Sequence, residues 1–390
     1  MFDVVVITAA NAAQARGYRE QVKWRRAHGL LPASLEVQVV PDPGGRRVGS
    51  LGATVNVLKR LGDLRGRRVF ICHSGGDARR TPGYAAMGKA FTPLPVAGGQ
   101  ALFDLILANM AKLPMPKAGG VLVACGDVLI TFDFRSADLS HPGVTGVGFC
   151  DGAARAARHG VYQVPRGART GCLPVTGFLQ KPQFVGGRHI IDTGILWIDA
   201  ATATKMVTRG WKVGDLYQEF ASALIEGFAP FHVNVARRCD FFHIGSSREL
   251  LGCMTAPSPT SKLYGFTVRD PNLVGRDLFV ARTENIVTNL PPAKVEKLKS
   301  SEVEKLKGEP FNHSTIQPFN TQLTKGECLT YLPIGASDWV EVRYSIDDNF
   351  KGDGKWEKKL YRLGRRRVCL KELMPQVNHR RLLEARGSGT

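Results

Sequence analysis

The residues best placed to do chemistry lie in a glycine-rich segment, HSGGDARR at 73–80, that directly follows a strand-like run. A glycine turn after a strand lets backbone N–H groups approach a phosphate closely, because no Cβ blocks the approach. Arg79 and Arg80 could clamp a phosphate bidentately, and Lys89 could add a point charge. An ordinary surface loop with two arginines is the alternative. The predicted nucleotide contacts of this segment are Ser74, Gly75, Gly76 and Asp77.

A second glycine turn, VGSLGATVNVL at 48–58, precedes a helical pattern. The N-terminus of a helix carries partial positive charge, which favours an anion such as phosphate. The predicted nucleotide contacts of this turn are Gly49, Ser50, Gly52 and Thr54.

Elements that position both turns are visible as short apolar runs alternating with helical patterns through roughly the first 250 residues. This rhythm predicts an α/β fold with a mainly parallel sheet covered by helices. The predicted strands are Val4–Thr8, Leu35–Val40, Val69–Cys72 and Val121–Ala124, and the predicted helices are Ala12–Ala27, Thr54–Leu61 and Gln100–Lys112.

The residue pattern changes after Gly252, where short β-rich runs are separated by turn residues. This pattern predicts a smaller β-rich domain, and a β-helix is one form that it could take. VEKLK occurs twice, at 295–299 and 303–307, and predicts a charged helix or linker. The basic tail, with RRR at 365–367, is expected to be exposed and partly disordered.

Composition sets the wider limits. The chain has 390 residues, 43% apolar content and a net charge of +19, so we expect two or three domains and an attraction to polyanions. A solvated, arginine-rich surface is the alternative for most of this charge. Eight cysteines without a C-x-x-C pair predict buried thiols and a cytoplasmic location. The N-terminus lacks a signal-peptide pattern, and no run of 18 apolar residues predicts a membrane span.

The order Gly-Gly-x-x-x-Arg, proline and lysine at 75–89 resembles the signature of sugar nucleotidyltransferases. Longer segments resemble one branch, the L-fucose-1-phosphate guanylyltransferase (GDP-fucose pyrophosphorylase) family. This family also forms the pyrophosphorylase part of bifunctional fucokinase/GDP-fucose pyrophosphorylase. The segments are VVVITAANAAQARGY, VVPDPGGRRVGSLGATVNVL, HSGGDARRTPGYAAMGKAF, GDVLITFD, FFHIGSSRELL and YSIDDNFKG. The resemblance implies a Rossmann-like nucleotidyltransferase domain over 1–252 and a β-rich domain with a basic tail over 253–390.

The match to the general signature is incomplete. Ala78 and Arg79 replace its Gly-Thr, so either Arg79 or Arg80 could be the signature arginine. Leu51 stands where this branch has glycine, and a leucine is strained there if the position needs a positive φ.

The resemblance also implies a metal and an acceptor site. Asp127, at the end of the strand VLVACGD, takes the family's Mg²⁺-binding position, with a capping aspartate as the alternative. Lys181 corresponds to the sugar-phosphate lysine, with a surface lysine as the alternative. Asp192 and Gly194 correspond to the sugar-contacting strand. His243 replaces a second metal-binding aspartate and is assigned to the sugar phosphate, ahead of Asp240.

The implied reaction joins GTP and L-fucose 1-phosphate to give GDP-L-fucose and pyrophosphate, by in-line attack at the α-phosphorus. Arg79, Arg80 and Lys89 are the implied catalytic residues. No kinase phosphate loop follows Gly252, so a separate sugar kinase would supply the sugar 1-phosphate.

Four alternatives remain open at this point. The nucleotide could be UTP or dTTP, and the sugar D-arabinose or a heptose. A non-catalytic sugar-nucleotide binder keeps the fold. A basic nucleic-acid-binding protein would explain the charge, although the chain lacks zinc-finger spacing and RNA-binding aromatic motifs. The fourth concerns the oligomeric state: the chain could form a homo-oligomer, and the sequence does not decide this.

Overall fold

The computed structural model describes residues 1–94, 96, 100–265, 273–274, 279–281, 285–289, 291 and 323–387. Residue contacts divide the chain into two compact units. The N-terminal unit comprises Met1–Gly76 and Leu102–Phe242, and the C-terminal unit comprises Asp77–Ala101 and His243–Thr390. The predicted domain ranges, 1–252 and 253–390, stay a prediction.

The N-terminal unit alternates strands and helices, as expected from the hydrophobic pattern. Its strands are β1 (Val4–Ala9), β2 (Glu36–Pro41), β3 (Arg68–His73), β4 (Gly120–Cys125), β5 (Val128–Thr131), β6 (Val144–Gly152), β7 (Gly160–Gln163), β8 (Gly171–Pro174), β9 (Gly177–Gln180), β10 (Arg188–Asp199), β11 (Phe231–Ala236) and β12 (Asp240–His243). Its helices are α1 (Ala12–Ala27), α2 (Gly49–Leu61), α3 (Leu102–Met110), α4 (Ala153–Ala156), α5 (Ala200–Arg209) and α6 (Ala221–Ile225), the last preceded by a π-helical turn, Leu216–Phe220.

The central sheet has the strand order β2-β1-β3-β4-β10-β6-β11-β8, with β7 pairing to β10 and β9. The first four of these strands are parallel. Strand β10 then runs antiparallel to both β4 and β6. The predicted α/β fold with a mainly parallel sheet is confirmed, and the antiparallel β10 makes the sheet mixed. Because β1, β3 and β4 are parallel, their carboxyl ends lie at one edge, where ligands bind in open α/β sheets.

Apolar strands fill the core of this unit. Val4–Ile7, Val69–Cys72 and Val121–Val123 are almost completely buried. Continuous apolar runs of this kind are typical of parallel strands covered by helices on both faces. Among the described residues, no helix has the length and apolar character needed to span a bilayer.

Helix α2 begins five residues earlier than the pattern predicted, at Gly49. A Cβ on Gly49 would overlap Gly214 O, and a Cβ on Gly52 would lie 2.6 Å from Lys212 O. The Leu51 amide donates to Gly214 O at 2.9 Å. Backbone packing therefore requires both glycines. The expected strain at Leu51 is wrong, because Leu51 is a buried helical residue whose φ is not positive.

The C-terminal unit is β-rich, as predicted. Strands β13 (Leu273–Val274), β14 (Phe279–Ala281), β15 (Asn285–Thr288), β16 (Glu327–Ile334) and β17 (Asp338–Ser345) form one sheet, and β18 (Tyr361–Leu363) pairs with β19 (Arg366–Val368). Its helices are α7 (Ser247–Thr255), α8 (Pro259–Leu263), α9 (Leu370–Leu373) and α10 (His379–Gly387). The described strand pairs are antiparallel except β15 with β16, and the β-helix stays a prediction.

Two sequence predictions concern the end of the chain. Both VEKLK segments lie outside the described residues. The expected exposure of the basic tail is confirmed at Arg365, Arg366 and Arg367, the expected partial disorder is wrong for residues 365–387, and residues 388–390 lie outside the described residues. Arg366 and Arg367 belong to β19, and α10 extends to Gly387 with Leu382 and Leu383 buried, because these leucines supply an apolar face.

Gly52→Ala is expected to lower the free energy of unfolding by about 1–3 kcal/mol, because the new Cβ meets backbone that cannot move aside cheaply. The control is Gly152→Ala in the same unit, where a Cβ meets nothing within 4 Å. We expect the control to change stability by less than about 0.5 kcal/mol. Thermal and urea unfolding of the two variants measure the difference, and equal midpoints would contradict the packing role of Gly52.

Candidate active site

Two predicted site segments of the N-terminal unit are neighbours at the carboxyl edge of the sheet. His73 pairs with Cys125 in the register of β3 and β4, so Ser74 and Gly126 both begin where a strand ends. The Gly126 amide donates to His73 O at 2.9 Å. The glycine loop after β3 and the turn that carries Asp127 therefore lie side by side.

Hydrogen bonds hold the loop at 74–76 at both of its ends, Ser74 and Gly76. Ser74 is buried, and its carbonyl accepts a hydrogen bond from Tyr18 Oη at 2.8 Å. Gly76 O accepts from Gln14 Nε2 at 2.8 Å. A Cβ on Gly75 would have its nearest described atom at 3.6 Å, and one on Gly76 would meet none within 4 Å. Neither glycine has a positive φ. A Cβ on Gly75 would be in ordinary van der Waals contact with Ala9 and Ala10, whereas the space beside Gly76 is open among the described residues.

The first turn of α2 is engaged by the protein itself. Ser50 Oγ donates to Asp215 Oδ2 at 3.0 Å and accepts from the Leu216 amide at 2.8 Å. Thr54 Oγ1 donates to Ser50 O at 2.9 Å. Gly49 and Gly52 pack on residues 212–214, as described above. The predicted nucleotide contacts of Gly49, Ser50, Gly52 and Thr54 stay a prediction, since each of these residues has a structural role.

Three carboxylates lie around Cys125, beside the turn after β4. Burial and the charges of Asp127, Asp192 and Asp215 together raise the pKa of the Cys125 thiol to about 12. Asp192 is buried, and Tyr162 Oη donates to its Oδ1 at 2.7 Å. Burial, with a smaller contribution from the Asp215 charge, raises the pKa of Asp192 to about 6. The N-terminal unit therefore concentrates negative charge next to the open glycine loop, which a cation would offset.

Gly194 is the residue that lets β10 approach Cys125. Its φ is +76°, and a Cβ there would lie 2.9 Å from Cys125 Sγ. The register between β10 and β6 shifts between Asp192 and Ile195, which turns Asp192 and Gly194 toward this cluster. Tyr217 Oη donates to Gly194 O at 2.9 Å and lies 3.5 Å from Cys125 Sγ. The predicted sugar-contacting residues therefore lie close to Cys125, whose thiol also feels the charge of Asp127.

Asp215 and Tyr217 are candidate site residues that the sequence analysis missed. Asp215 caps the turn Leu216–Phe220 by accepting from the Tyr217 amide at 2.7 Å. The sequence feature that could have identified these two residues is the Gly-Asp-Leu-Tyr segment at 214–217, in which a capping aspartate precedes an apolar helical pattern. Nothing in that local pattern indicates a partner at Ser50, so proximity to the site was not predictable.

Lys181 has an unusual backbone for a residue that is not glycine. Its φ is +47°, its side chain is exposed, and its amide donates to His159 O at 3.0 Å. A left-handed conformation costs a lysine about 1–2 kcal/mol, and such strain is concentrated at functional sites. The preceding Gln180 donates from Nε2 to Tyr217 O at 2.7 Å. The predicted sugar-phosphate contact of Lys181 stays a prediction that this geometry supports.

The two arginines of the C-terminal unit differ in their partners. Arg79 forms an ion pair with Asp77 at 2.9 Å, and its guanidinium lies 5.3 Å from the centre of the Trp356 ring. Arg80 is exposed, and its guanidinium makes no hydrogen bond or ion pair with any residue that the structure describes. Arg80 is therefore the arginine that is available to an anion, and the Asp77 carboxylate already engages Arg79.

Lys89 and His243 lie in one group within the C-terminal unit. Lys89 Nζ donates to Gly245 O at 3.2 Å. His243 Nδ1 lies 3.9 Å from Glu249 Oε2. A Cβ on Gly245 would lie 2.7 Å from His243 Cε1, so the glycine permits this close packing. The structure thus brings together a cation and an imidazole that were both predicted to contact phosphate groups.

Asp192→Asn is expected to change how stability depends on pH. The folded-state pKa of about 6 lies above the ordinary 3.8, so folding takes up a proton between about pH 4 and pH 6, and ionisation above that window opposes folding. As pH rises from about 4 to about 6, the unfolding midpoint of the wild type should fall relative to that of Asp192→Asn. Above about pH 6, the difference between the two midpoints should stay constant.

Thermal unfolding across this pH range measures the gap. Tyr162→Phe removes the hydrogen bond that lowers the pKa of Asp192. The pH range over which ionisation of Asp192 opposes folding should therefore extend to higher pH in that variant. A gap that does not depend on pH, or one that opens as pH falls, would show that Asp192 is not the buried acid described here.

Part of this chain is similar in sequence to known proteins. Residues 62–211 match the family model of the fucose pyrophosphorylase domain. Mouse fucose-1-phosphate guanylyltransferase is 32% identical over 172 residues, which cover 41% of this chain and 29% of the mouse protein. The bifunctional fucokinase/GDP-fucose pyrophosphorylase of Arabidopsis thaliana is 30% identical over 244 residues, which cover 50% of this chain and 23% of that protein.

A bacterial relative matches more of the chain. The L-fucokinase/L-fucose-1-P guanylyltransferase of Bacteroides fragilis is 26% identical over 367 residues, which cover 80% of this chain and 38% of that protein. The chain thus spans well under half the length of each of these relatives. The resemblance predicted from the sequence is confirmed in that residues 62–211 match the model of the fucose pyrophosphorylase domain.

Proposed function

We propose that this chain transfers a guanylyl group from GTP to L-fucose 1-phosphate, giving GDP-L-fucose and pyrophosphate. The observation that carries the proposal is the fucose pyrophosphorylase domain over residues 62–211. The geometry supports nucleotidyl transfer, because an open glycine loop lies beside a turn with an aspartate and a cluster of carboxylates. The choice of guanine and fucose rests on the domain and on the names of the relatives.

The reaction is an in-line displacement at the α-phosphorus of GTP. A phosphate oxygen of the sugar 1-phosphate forms the new P–O bond, and the bond to the β-phosphate oxygen breaks, so that pyrophosphate leaves with the bonding electrons. The nucleophile is already anionic, so no general base is needed. Catalysis then consists of positioning and of neutralising the phosphate charge.

The proposed roles follow the local geometry of each unit. In the N-terminal unit, the backbone at Gly75 and Gly76 receives phosphate oxygens in the open space beside the loop. In the C-terminal unit, the guanidinium of Arg80, which has no partner among the described residues, and the ammonium of Lys89 supply positive charge. Arg79 holds the start of this segment through Asp77, and a direct phosphate contact from Arg79 stays a prediction.

Mg²⁺ is the proposed metal, and the residues fit it. Among the described residues, no group of three or more His, Cys, Asp or Glu side chains is arranged to hold a metal ion. Magnesium, however, commonly uses one or two carboxylates together with substrate phosphates and water. Asp127 would hold the ion, within the negative potential that Asp192 and Asp215 also create. The ion would offset phosphate charge as the pyrophosphate leaves.

The acceptor side of the proposal uses the residues predicted for it. Lys181 would bind the sugar phosphate, and Asp192 would accept hydrogen bonds from sugar hydroxyls beside Gly194. His243 would contact phosphate from the C-terminal unit. A separate sugar kinase would supply the sugar 1-phosphate. The eight cysteines are free thiols, which supports a reducing, cytoplasmic setting, and self-association stays a prediction.

Arg80→Ala, Lys89→Ala and Asp127→Ala test these roles in a pyrophosphate-release assay with GTP and L-fucose 1-phosphate. Each should lower kcat/KM by about 10- to 100-fold, since a hydrogen bond to a charged group contributes about 1.5–3 kcal/mol. Arg362→Ala is the control, because Arg362 is an exposed arginine of the C-terminal unit whose side chain makes no hydrogen bond or ion pair with any described residue. Full turnover by Arg80→Ala or Asp127→Ala would contradict the assignments.

Arg79→Ala should behave differently from Arg80→Ala. Its loss leaves Asp77 without this ion pair and uncovers Trp356, so the unfolding midpoint should fall, whereas Arg80→Ala should unfold like the wild type. Equal midpoints for the two variants would remove the distinction between the two arginines.

A further inference from the structure

His73 is a half-buried histidine whose two ring nitrogens both have hydrogen-bond partners. Its Nδ1 lies 3.2 Å from Thr8 Oγ1, and its Nε2 lies 2.9 Å from Thr54 Oγ1. Burial lowers the pKa of His73 to about 4, so the ring is neutral near pH 7. A neutral imidazole donates from one nitrogen and accepts at the other, so the partners decide which nitrogen carries the proton.

The partners of Thr54 fix the direction of these hydrogen bonds. Thr54 uses its only hydroxyl proton to donate to Ser50 O at 2.9 Å, so its oxygen must accept from His73 Nε2–H. The Nδ1 atom is then the acceptor, and Thr8 donates to it. The oxygen of Thr8 in turn accepts from the Ser74 amide at 3.2 Å. The result is one directed chain from Ser74 through Thr8, His73 and Thr54 to Ser50.

This chain connects elements that are far apart in the sequence. Thr8 lies in β1, His73 at the end of β3, and Thr54 in the second turn of α2. Ser50 extends the connection, because it donates to Asp215 and accepts from Leu216 N–H. Both glycine turns and the segment that carries Asp215 are therefore connected through hydrogen bonds to the same imidazole.

We propose that His73 is a positioning residue that fixes the first turn of α2, and through Ser50 the Asp215 segment, relative to the loop at 74–76. Its ring touches threonine hydroxyls, and its effect on substrate passes through Ser50 and Ser74. The kinetic part of this inference rests on the proposed function. The structural part concerns only contacts within the N-terminal unit.

His73→Phe tests the positioning without reference to activity. The phenyl ring fills the space but removes both hydrogen bonds, so amide hydrogen exchange should accelerate about 5- to 10-fold in peptides covering 48–54 and 212–217. Peptides from α5 should exchange as in the wild type. His73→Gln carries one acceptor and one donor on its amide and should restore part of the protection. In the wild type, ¹⁵N NMR should show the Nε2–H tautomer near pH 7.

Thr54→Val provides a second test in case His73→Phe does not fold. Its control is Thr204→Val in α5, because Thr204 makes the same hydroxyl contact to the carbonyl four residues back, at 3.0 Å, but has no histidine partner. Thr54→Val should accelerate exchange at 212–217, and Thr204→Val should not.

Kinetics then connect the contacts to the reaction. His73→Phe and Thr54→Val should raise KM for GTP about 5- to 10-fold. If the wild type releases no pyrophosphate from any substrate pair, the proposed function fails while the exchange data still decide the positioning.

Three results would overturn the inference. The first is wild-type exchange at both segments in His73→Phe or Thr54→Val. The second is exchange that accelerates equally throughout the N-terminal unit, which indicates general destabilisation. The third is local acceleration with an unchanged KM for GTP in an active enzyme.

Discussion

The first turn of α2 lies directly against residues 212–214, and glycine at 49 and 52 is what lets the two backbones approach so closely. This contact places Ser50 within hydrogen-bond distance of Asp215. Tyr217, two residues later, reaches Gly194 and Cys125 at the end of β4. One backbone approach thus brings a helix start, a β10 bulge and a strand end to the same edge of the sheet.

The electrostatics of this edge explain why positive charge must come from elsewhere. Asp127, Asp192 and Asp215 all act on Cys125, and burial keeps the carboxyl of Asp192 partly protonated near pH 6. A bound triphosphate would add more negative charge to this edge of the sheet. The proposed chemistry therefore requires a cation at this edge, and a magnesium ion is the candidate.

Local patterns predicted the elements well, and contacts over long sequence distances limited the rest. The helix at Ala12–Ala27 has the predicted bounds, because its polar cap and periodicity are local features. Helix α2 starts before the predicted Thr54, since its glycines resemble a loop until residues 212–214 are packed on them. The difference between Arg79 and Arg80 depends on Trp356, which lies 277 positions beyond Arg79 in the sequence. The glycine loop at 74–76, Asp127 and Asp192 could be singled out from motifs, but their partners could not.

The central claim is that this chain joins GTP and L-fucose 1-phosphate. The most direct measurement is pyrophosphate release from a matrix of nucleoside triphosphates (GTP, UTP, dTTP) and sugar 1-phosphates (L-fucose, D-arabinose, a heptose) with Mg²⁺ present. The account predicts the highest kcat/KM for GTP with L-fucose 1-phosphate, and GDP-L-fucose as the product. A higher value for another pair would contradict the assigned substrates. Tight GDP-fucose binding without pyrophosphate release from any pair would contradict the enzymatic claim itself.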